Sequence, residues 1–131
     1  MASERVVLVV EDEEPNRALL RAVLARASDG RLGPIVLLEA GDLAGARQIL
    51  ADRRIDLVLL DVRLPDGNGL SLIPGEDERT DETPSFVVLS ASVLPTERAV
   101  ALAAGAADFL AKPYRPSDLL DAIAAQLPAV D

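Results

Sequence analysis

The sequence predicts an α/β fold in which helices cover both faces of a five-stranded parallel sheet. Five short apolar runs alternate with longer segments of helical periodicity, a pattern that is typical of right-handed βαβ crossovers. The runs are apolar at nearly every position, as expected for strands that are buried on both faces. They cover residues 6–10, 35–38, 57–60, 86–89 and 109–111. We therefore predict a doubly wound domain with five strands and about five helices.

The helices are predicted from the spacing of apolar residues between these runs. The first helix begins near Pro15, a residue favoured in a first helical turn, and its apolar residues recur at spacings of one, three and four up to residue 27. The same spacing predicts a second helix over residues 43–50 and a last helix over residues 119–127, with Ser117 as its cap. Two glycines and a proline mark residues 28–34 as a loop.

The third helix is expected to be short or distorted. Pro74 and Gly75 interrupt the chain after residues 69–73, and residues 76–82 then carry five acids that are opposed only by Arg79. Such a segment disfavours a helix and favours a solvated loop. The sequence contains no internal repeat or interdomain linker, so we expect residues 1–131 to form a single domain.

The composition excludes several classes of function. The chain has no cysteine and no histidine, which rules out disulfides, thiol nucleophiles, imidazole bases and zinc sites of the usual kinds. A net charge of −9 argues against direct binding to the backbone of nucleic acids. No apolar run approaches the length of a signal sequence or a membrane span. We expect a cytoplasmic protein that does not associate with membranes.

A polar residue capable of chemistry follows four of the five predicted strands: Asp12, Asp61, Ser90 and Lys112. The carboxyl ends of parallel strands share one edge of a sheet, so these residues are expected to converge on one ligand. For the strand order 2-1-3-4-5, the order reverses between the first and third strands, where ligands of such sheets bind.

The residue types at this edge suit a metal ion and a phosphoryl group. Carboxylates that meet there repel one another, and Mg²⁺ is their natural neutraliser because it needs few protein oxygens. Lysine offers a point charge to phosphate, and a serine hydroxyl offers one further donor. Each residue also has an ordinary explanation on its own. The acids of residues 11–14 would favour a helix start, Asp61 would cap a loop, Ser90 would belong to a turn and Lys112 would be a surface charge.

Taken in order, these motifs resemble the receiver domain of bacterial two-component response regulators, and the resemblance covers essentially the whole chain. The motifs that carry it are Glu11-Asp12 after Leu8-Val9-Val10, Leu59-Leu60-Asp61, Leu64-Pro65-Asp66-Gly67 with Gly69, Leu89-Ser90-Ala91, and Lys112-Pro113-Tyr114. The resemblance implies a flavodoxin-like sheet and a signalling switch. It implies a domain that catalyses its own Mg²⁺-dependent phosphorylation and dephosphorylation and is not a turnover enzyme.

The resemblance also implies a role for each site residue. Asp61 would accept a phosphoryl group from a phosphohistidine on a sensor histidine kinase or phosphotransfer protein, and Ser90 and Lys112 would then bind the phosphoryl oxygens. The ligands of Mg²⁺ would be Asp61, Asp12 and the main-chain carbonyl of Arg63, with Glu11 acting through water.

Signalling would follow from repacking of Ser90 and Phe109, with an ordinary core residue as the alternative interpretation of Phe109. The Lys112-Pro113 peptide bond resembles one that is often cis in the family. The output surface would be the fourth helix, fifth strand and fifth helix, with Val93, Arg98, Tyr114 and Arg115 on or near it. It would contact a downstream protein or an attached effector domain, and the chain would be a monomer or a weak, phosphorylation-dependent dimer.

Two rival interpretations are compatible with part of the pattern. The chain could be a degenerate receiver that acts as an unphosphorylated binding module, although every position of the site is filled. A phosphatase of the haloacid dehalogenase type also uses an aspartate nucleophile at a strand end. That class requires a second acid two residues later, where this sequence has Arg63.

Overall fold

The computed structural model describes residues 4–28, 32–91 and 94–127. Within them, five parallel strands form one sheet in the order β2-β1-β3-β4-β5, which confirms the predicted fold class and strand order. The strands are β1 (Arg5–Val10), β2 (Ile35–Ala40), β3 (Leu57–Asp61), β4 (Ser85–Ser90) and β5 (Asp108–Ala111). All five predicted apolar runs are strands, and each observed strand contains its predicted run.

In the described ranges, four α-helices cover the sheet: α1 (Glu14–Ser28), α2 (Leu43–Asp52), α3 (Pro95–Ala104) and α4 (Pro116–Gln126). Successive strand residues point to opposite faces, so each strand contributes to two separate cores. Val9, Leu59 and Val87 pack with residues of α1 and α4 on one face. Leu8 and Val58 pack with residues of α2 and α3 on the other face. Because fully burying one such side chain contributes about 1.5 to 3 kcal/mol, these strands fix the architecture firmly.

The structure describes the whole connection between β3 and β4, and this connection contains no α-helix. It holds a small antiparallel ribbon of Arg63–Leu64 and Gly67–Asn68, followed by two 3₁₀ helices, Gly69–Leu72 and Glu76–Glu78. This confirms that the third helix is short and distorted. Pro74 lies between the 3₁₀ helices, and proline cannot donate the hydrogen bond that a continuing helix needs. The helices named α3 and α4 are therefore the predicted fourth and fifth helices.

The prediction of Ser117 as the cap of the last helix is wrong. Arg115 occupies the cap position with extended backbone, Pro116 is the first helical residue, and Ser117 lies inside the first turn. Proline fits the first helical position because its ring fixes φ and its missing N–H would have no partner there. The Asp118 carboxylate instead accepts a hydrogen bond from the N–H of Arg115, at 3.4 Å.

The boundaries of the predicted loops also differ slightly from the structure. Ser28 still belongs to α1, and residues 29–31 of the predicted loop at 28–34 lie outside the described residues. Asp61 and Ser90 are the last residues of their strands rather than the first residues beyond them. Among the residues described, no helix combines the length and apolar character required to cross a membrane.

Candidate functional site

The strand register brings the acids that follow β1 and the acid that ends β3 together at the carboxyl edge of the sheet. Val10 pairs with Leu60, so the residues that follow them, Glu11 and Asp61, lie side by side. One carboxylate oxygen from each of Glu11, Asp12 and Asp61 lies within 4.8 Å of an oxygen from each of the others. The three acids therefore share one small volume, as the sequence predicted.

Lys112 joins this cluster from the end of β5. Its Nζ lies 3.1 Å from Glu11 Oε1 and 3.2 Å from Asp61 Oδ2, and its main-chain N–H donates to the carbonyl of Ser90 at 2.7 Å. Burial alone would lower the pKa of Lys112, but the neighbouring carboxylates of Asp61 and Glu11 outweigh it and raise the pKa. The ammonium is therefore held in its charged form, where it neutralises part of the acidic cluster.

Glu11 is an unusually buried acid, with 2% of its surface exposed. Burial raises the pKa of its carboxyl, and the neighbouring Asp61 adds to this effect while Lys112 opposes it. Its Oε2 is buried and has no hydrogen-bond partner among the described residues. Buried polar atoms normally have a partner, and a hard cation or its bound water would supply one here. The oxygen donor set of the cluster therefore fits Mg²⁺.

Asp61 is accessible to solvent and is placed by its local backbone. Its side chain is 17% exposed, and its Oδ1 accepts a hydrogen bond from the N–H of Arg63 at 3.2 Å. Gly69 passes directly against this strand end, where a Cβ would lie 2.1 Å from the carbonyl oxygen of Asp61. Only glycine allows this approach. Arg63 stands two residues after Asp61 in the sequence, and the role of its main-chain carbonyl as a metal ligand stays a prediction.

Ser90 lies at the end of β4 and is 5% exposed. Its hydroxyl donates to Oε2 of Glu97, in the first turns of α3, at 3.3 Å. Phe109 is also 5% exposed and packs in the core on the α2 and α3 face, while Arg98 Nη1 donates to its carbonyl at 3.4 Å. The start of α3 is therefore tied both to Ser90 and to the strand that carries Phe109.

The segment after Lys112 connects β5 to α4 beside the site. The Lys112-Pro113 peptide bond is cis, as the resemblance implied. Tyr114 is partly buried against the core on the α1 and α4 face, where burial raises its pKa. It lines a cavity of about 320 Å³ together with Pro113 and residues of α1, among them Leu19. Arg98 lies on α3 and Tyr114 just before α4, two elements of the predicted output surface, which stays a prediction, while Val93 lies outside the described residues.

Two residues with direct links to the site were missed by the sequence reasoning. Glu97 accepts the hydrogen bond of Ser90, and Arg17 Nη1 donates to the carbonyl of Glu11 at 3.1 Å. Arg17 stands five residues after Asp12 in the sequence, and it lies in the first turn of α1, from where its side chain can reach the start of that helix. Glu97 stands two residues after the helix-starting Pro95, and that position was its only signal.

An open parallel α/β sheet whose carboxyl edge carries three acids, a lysine and a serine defines a class of receiver-like domains. Comparison with known families agrees with this geometry, because the family model described as the response regulator receiver domain matches residues 7–124. The chain therefore belongs to the receiver domains of two-component response regulators.

Similar proteins occur in Rhodobacter capsulatus and Escherichia coli. Protein PetR of Rhodobacter capsulatus is 38% identical over 120 residues, which cover 91% of this chain and 47% of PetR. The KDP operon transcriptional regulatory protein KdpE of Escherichia coli is 38% identical over 113 residues, covering 86% of this chain and 47% of KdpE. The chain thus spans about half the length of these two relatives.

Solved structures show the same fold. The non-phosphorylated HemR receiver domain from Leptospira biflexa has a TM-score of 0.78 and 27% identity, with 97% of each chain covered. The receiver domain of the sensor histidine kinase PA1611 from Pseudomonas aeruginosa has a TM-score of 0.79 and 25% identity. That comparison covers 97% of this chain and 100% of the PA1611 domain, whose structure has a magnesium ion coordinated in the active site cleft.

Proposed function

We propose that this chain is a phosphorylation-activated signalling switch that accepts a phosphoryl group on Asp61. The donor is a phosphohistidine on a sensor histidine kinase or phosphotransfer protein. A carboxylate oxygen of Asp61 attacks phosphorus, the bond from phosphorus to the imidazole nitrogen breaks, and an acyl phosphate forms. The observation that carries the proposal is the cluster of Glu11, Asp12 and Asp61 within 4.8 Å, with the Lys112 ammonium in contact with Glu11 and Asp61.

Each residue of the site has a separate role in phosphoryl transfer. Bound Mg²⁺ supplies the positive charge that phosphoryl oxygens need, with Asp12 and Asp61 as direct ligands, Glu11 acting through water, and the Arg63 carbonyl as a further ligand. The similar PA1611 receiver domain, whose structure has a magnesium ion in its active site cleft, supports the presence of a metal at this site. The Lys112 ammonium places a second positive charge beside the Asp61 carboxylate. Such transfer asks mainly for positioning and charge neutralisation, so a chain without histidine can perform it.

The switch couples this chemistry to the start of α3. Phosphorylation adds a charge of roughly −1.5 to −2 and new acceptor oxygens, which Ser90 and Lys112 engage. A serine hydroxyl has one proton to donate, so a bond from Ser90 to a phosphoryl oxygen replaces the bond to Glu97. Two charge-assisted contacts contribute about 3 to 6 kcal/mol, and reversing a 1:99 population takes about 5.5. Release of Glu97 and repacking of Phe109 then change the face formed by α3, β5 and α4.

The altered face is read by a downstream protein or by an effector domain attached to the same polypeptide. KdpE, a transcriptional regulatory protein about twice as long as the matched region, supports the second arrangement. The domain itself does not bind nucleic acid directly, since it carries a net charge of −9. We further propose a cytoplasmic monomer or weak phosphorylation-dependent dimer that also catalyses its own dephosphorylation.

Intact-mass measurement after incubation with acetyl phosphate and Mg²⁺ tests the proposal. We expect one phosphoryl adduct on the wild type and on Asp81→Asn, a control that removes an exposed acid before the amino end of β4, and none on Asp61→Asn. An identical adduct on Asp61→Asn would remove Asp61 from its role. No adduct on the wild type would favour the rival interpretation, an unphosphorylated binding module.

A further inference from the structure

Arg17 on α1 holds the backbone of the acidic turn between β1 and α1. Its Nη1 donates to the carbonyl oxygen of Glu11 at 3.1 Å, while Nε and Nη2 donate to Glu14 Oε2 at 3.1 and 2.8 Å. Its Nε also lies 3.7 Å from Glu39 Oε1. The Arg17 side chain is 22% exposed, so its guanidinium is partly shielded from water while it makes these contacts.

The backbone of Glu11 is held at both its N–H and its carbonyl. Its N–H donates to the carbonyl of Ala40 at 3.0 Å, and its own carbonyl accepts from Arg17. The space for the guanidinium is provided by Gly41, where a Cβ would lie 2.8 Å from Arg17 Nη1. The Glu11 carbonyl that Arg17 holds belongs to the peptide that joins Glu11 to Asp12, so the orientation of this peptide determines where both carboxylates point.

We propose that Arg17 is a positioning residue for the acids of the metal site, an inference that rests on the proposed function. Arg17 acts through the peptide between Glu11 and Asp12 and does not touch the metal or the phosphoryl group. The planar fork of arginine bonds the Glu11 carbonyl and the Glu14 carboxylate at the same time, which a lysine ammonium reproduces poorly. Without Arg17 the two carboxylates lose their shared orientation, and the site binds Mg²⁺ less tightly.

Arg21 offers a matched control on the same helix. Arg21 also pairs with Glu14, at 3.1 Å, and with Glu39, at 2.8 Å. Within the described part of the chain, however, only Arg17 donates to the carbonyl of Glu11. Removing either positive charge makes this region more negative and, on charge alone, favours a dication. A loss of Mg²⁺ affinity that is confined to Arg17 variants therefore reports positioning.

The first experiment compares Arg17→Met with Arg21→Met by isothermal titration of the metal-free proteins with Mg²⁺. We expect Arg17→Met to bind roughly tenfold or more weakly than the wild type, the usual effect of removing a group that orients a metal ligand. Arg21→Met should bind at least as tightly as the wild type. Equal affinities of the two variants would overturn the proposal.

Charge-conserving variants keep the test decisive if a methionine variant does not fold. Arg17→Lys and Arg21→Lys retain both charges, so a weaker Mg²⁺ affinity of Arg17→Lys alone must come from lost geometry. Urea unfolding in EDTA is measured alongside, and a mere loss of stability would leave the Mg²⁺ affinity of the folded protein unchanged. Absence of Mg²⁺ binding by the wild type would count against the proposed function, whereas equal binding by wild type and Arg17→Lys would overturn only the positioning role.

Discussion

Replacing Asp12 by asparagine should stabilise the metal-free protein. Asp12 is exposed, and its carboxylate lies within 4.8 Å of the carboxylates of Glu11 and Asp61. The Lys112 ammonium bonds those two acids, and no bond from it to Asp12 occurs among the described contacts. Asparagine keeps the shape of the side chain and removes its charge. The substitution therefore abolishes two repulsions and sacrifices little attraction.

The size of the gain follows from the separation of the charges. Two unit charges about 4.8 Å apart repel by about 0.9 kcal/mol in water and about 3.5 kcal/mol at a dielectric constant of 20. Because Asp12 is exposed, the lower figure applies, and two repulsions give an expected gain of about 1 to 2 kcal/mol. Mg²⁺ reverses the ranking, since a ligand at 100 times its dissociation constant stabilises the wild type by about 2.7 kcal/mol.

Urea unfolding followed by far-UV circular dichroism, in EDTA and in saturating Mg²⁺, measures both effects. Glu13→Gln is the control, because it removes the next exposed acid in the chain, which is not a member of the cluster in the described structure. Asp12→Asn should exceed the wild type in EDTA and should gain much less from Mg²⁺. If Asp12→Asn is no more stable in EDTA than Glu13→Gln, the three carboxylates do not repel one another as their geometry requires.

Two further substitutions probe other parts of the molecule. Glu97→Ala should tighten binding of the phosphoryl mimic beryllofluoride, with Mg²⁺ present, by about threefold to tenfold, because it removes the acceptor that competes for the Ser90 hydroxyl. This gain should vanish in a Ser90→Ala background, and an unchanged affinity would show that Glu97 does not restrain Ser90. Glu39→Gln should destabilise the protein by about 0.3 to 1 kcal/mol at neutral pH, as expected for a partly exposed ion pair. The hydrogen bond from Arg21 lowers the pKa of Glu39 below its ordinary value of 4.5, so this contribution is complete above that pH and is lost as the pH falls through the lowered pKa. A stability difference that persists in strong acid would contradict the ion pair as its source.

The sheet and the acidic cluster could be predicted from the sequence because one physical rule governs both. Strands buried on two faces must be apolar throughout, so Leu57–Asp61 is visible as a run that ends in an acid. Parallel pairing then brings strand ends together whatever their separation in the sequence. The contact between Lys112 and Asp61 joins residues that stand 51 positions apart, and it follows from topology alone.

The remaining features depend on choices that composition does not reveal. Ser117 is a good cap by residue type, but the neighbouring Pro116 fixed the start of α4 first. The bond between Ser90 and Glu97 requires the exact placement of α3 over the end of β4. The packing of Tyr114 beside Leu19 of α1 depends on the direction that the chain takes after Pro113. Each outcome was decided by local geometry between alternatives of similar propensity.

The crossover between β3 and β4, which contains no α-helix, gives the domain a natural insertion point. Residues 75–82 are exposed, and the apolar cover of the sheet in this region comes from Leu72 and Ile73, which precede them. Lengthening a surface loop costs little entropy, since each doubling adds only about 0.6 kcal/mol. A peptide tag or small reporter spliced into this segment would leave the sheet packing untouched. The crossover thus offers a place to attach a probe on a chain that provides no cysteine for labelling.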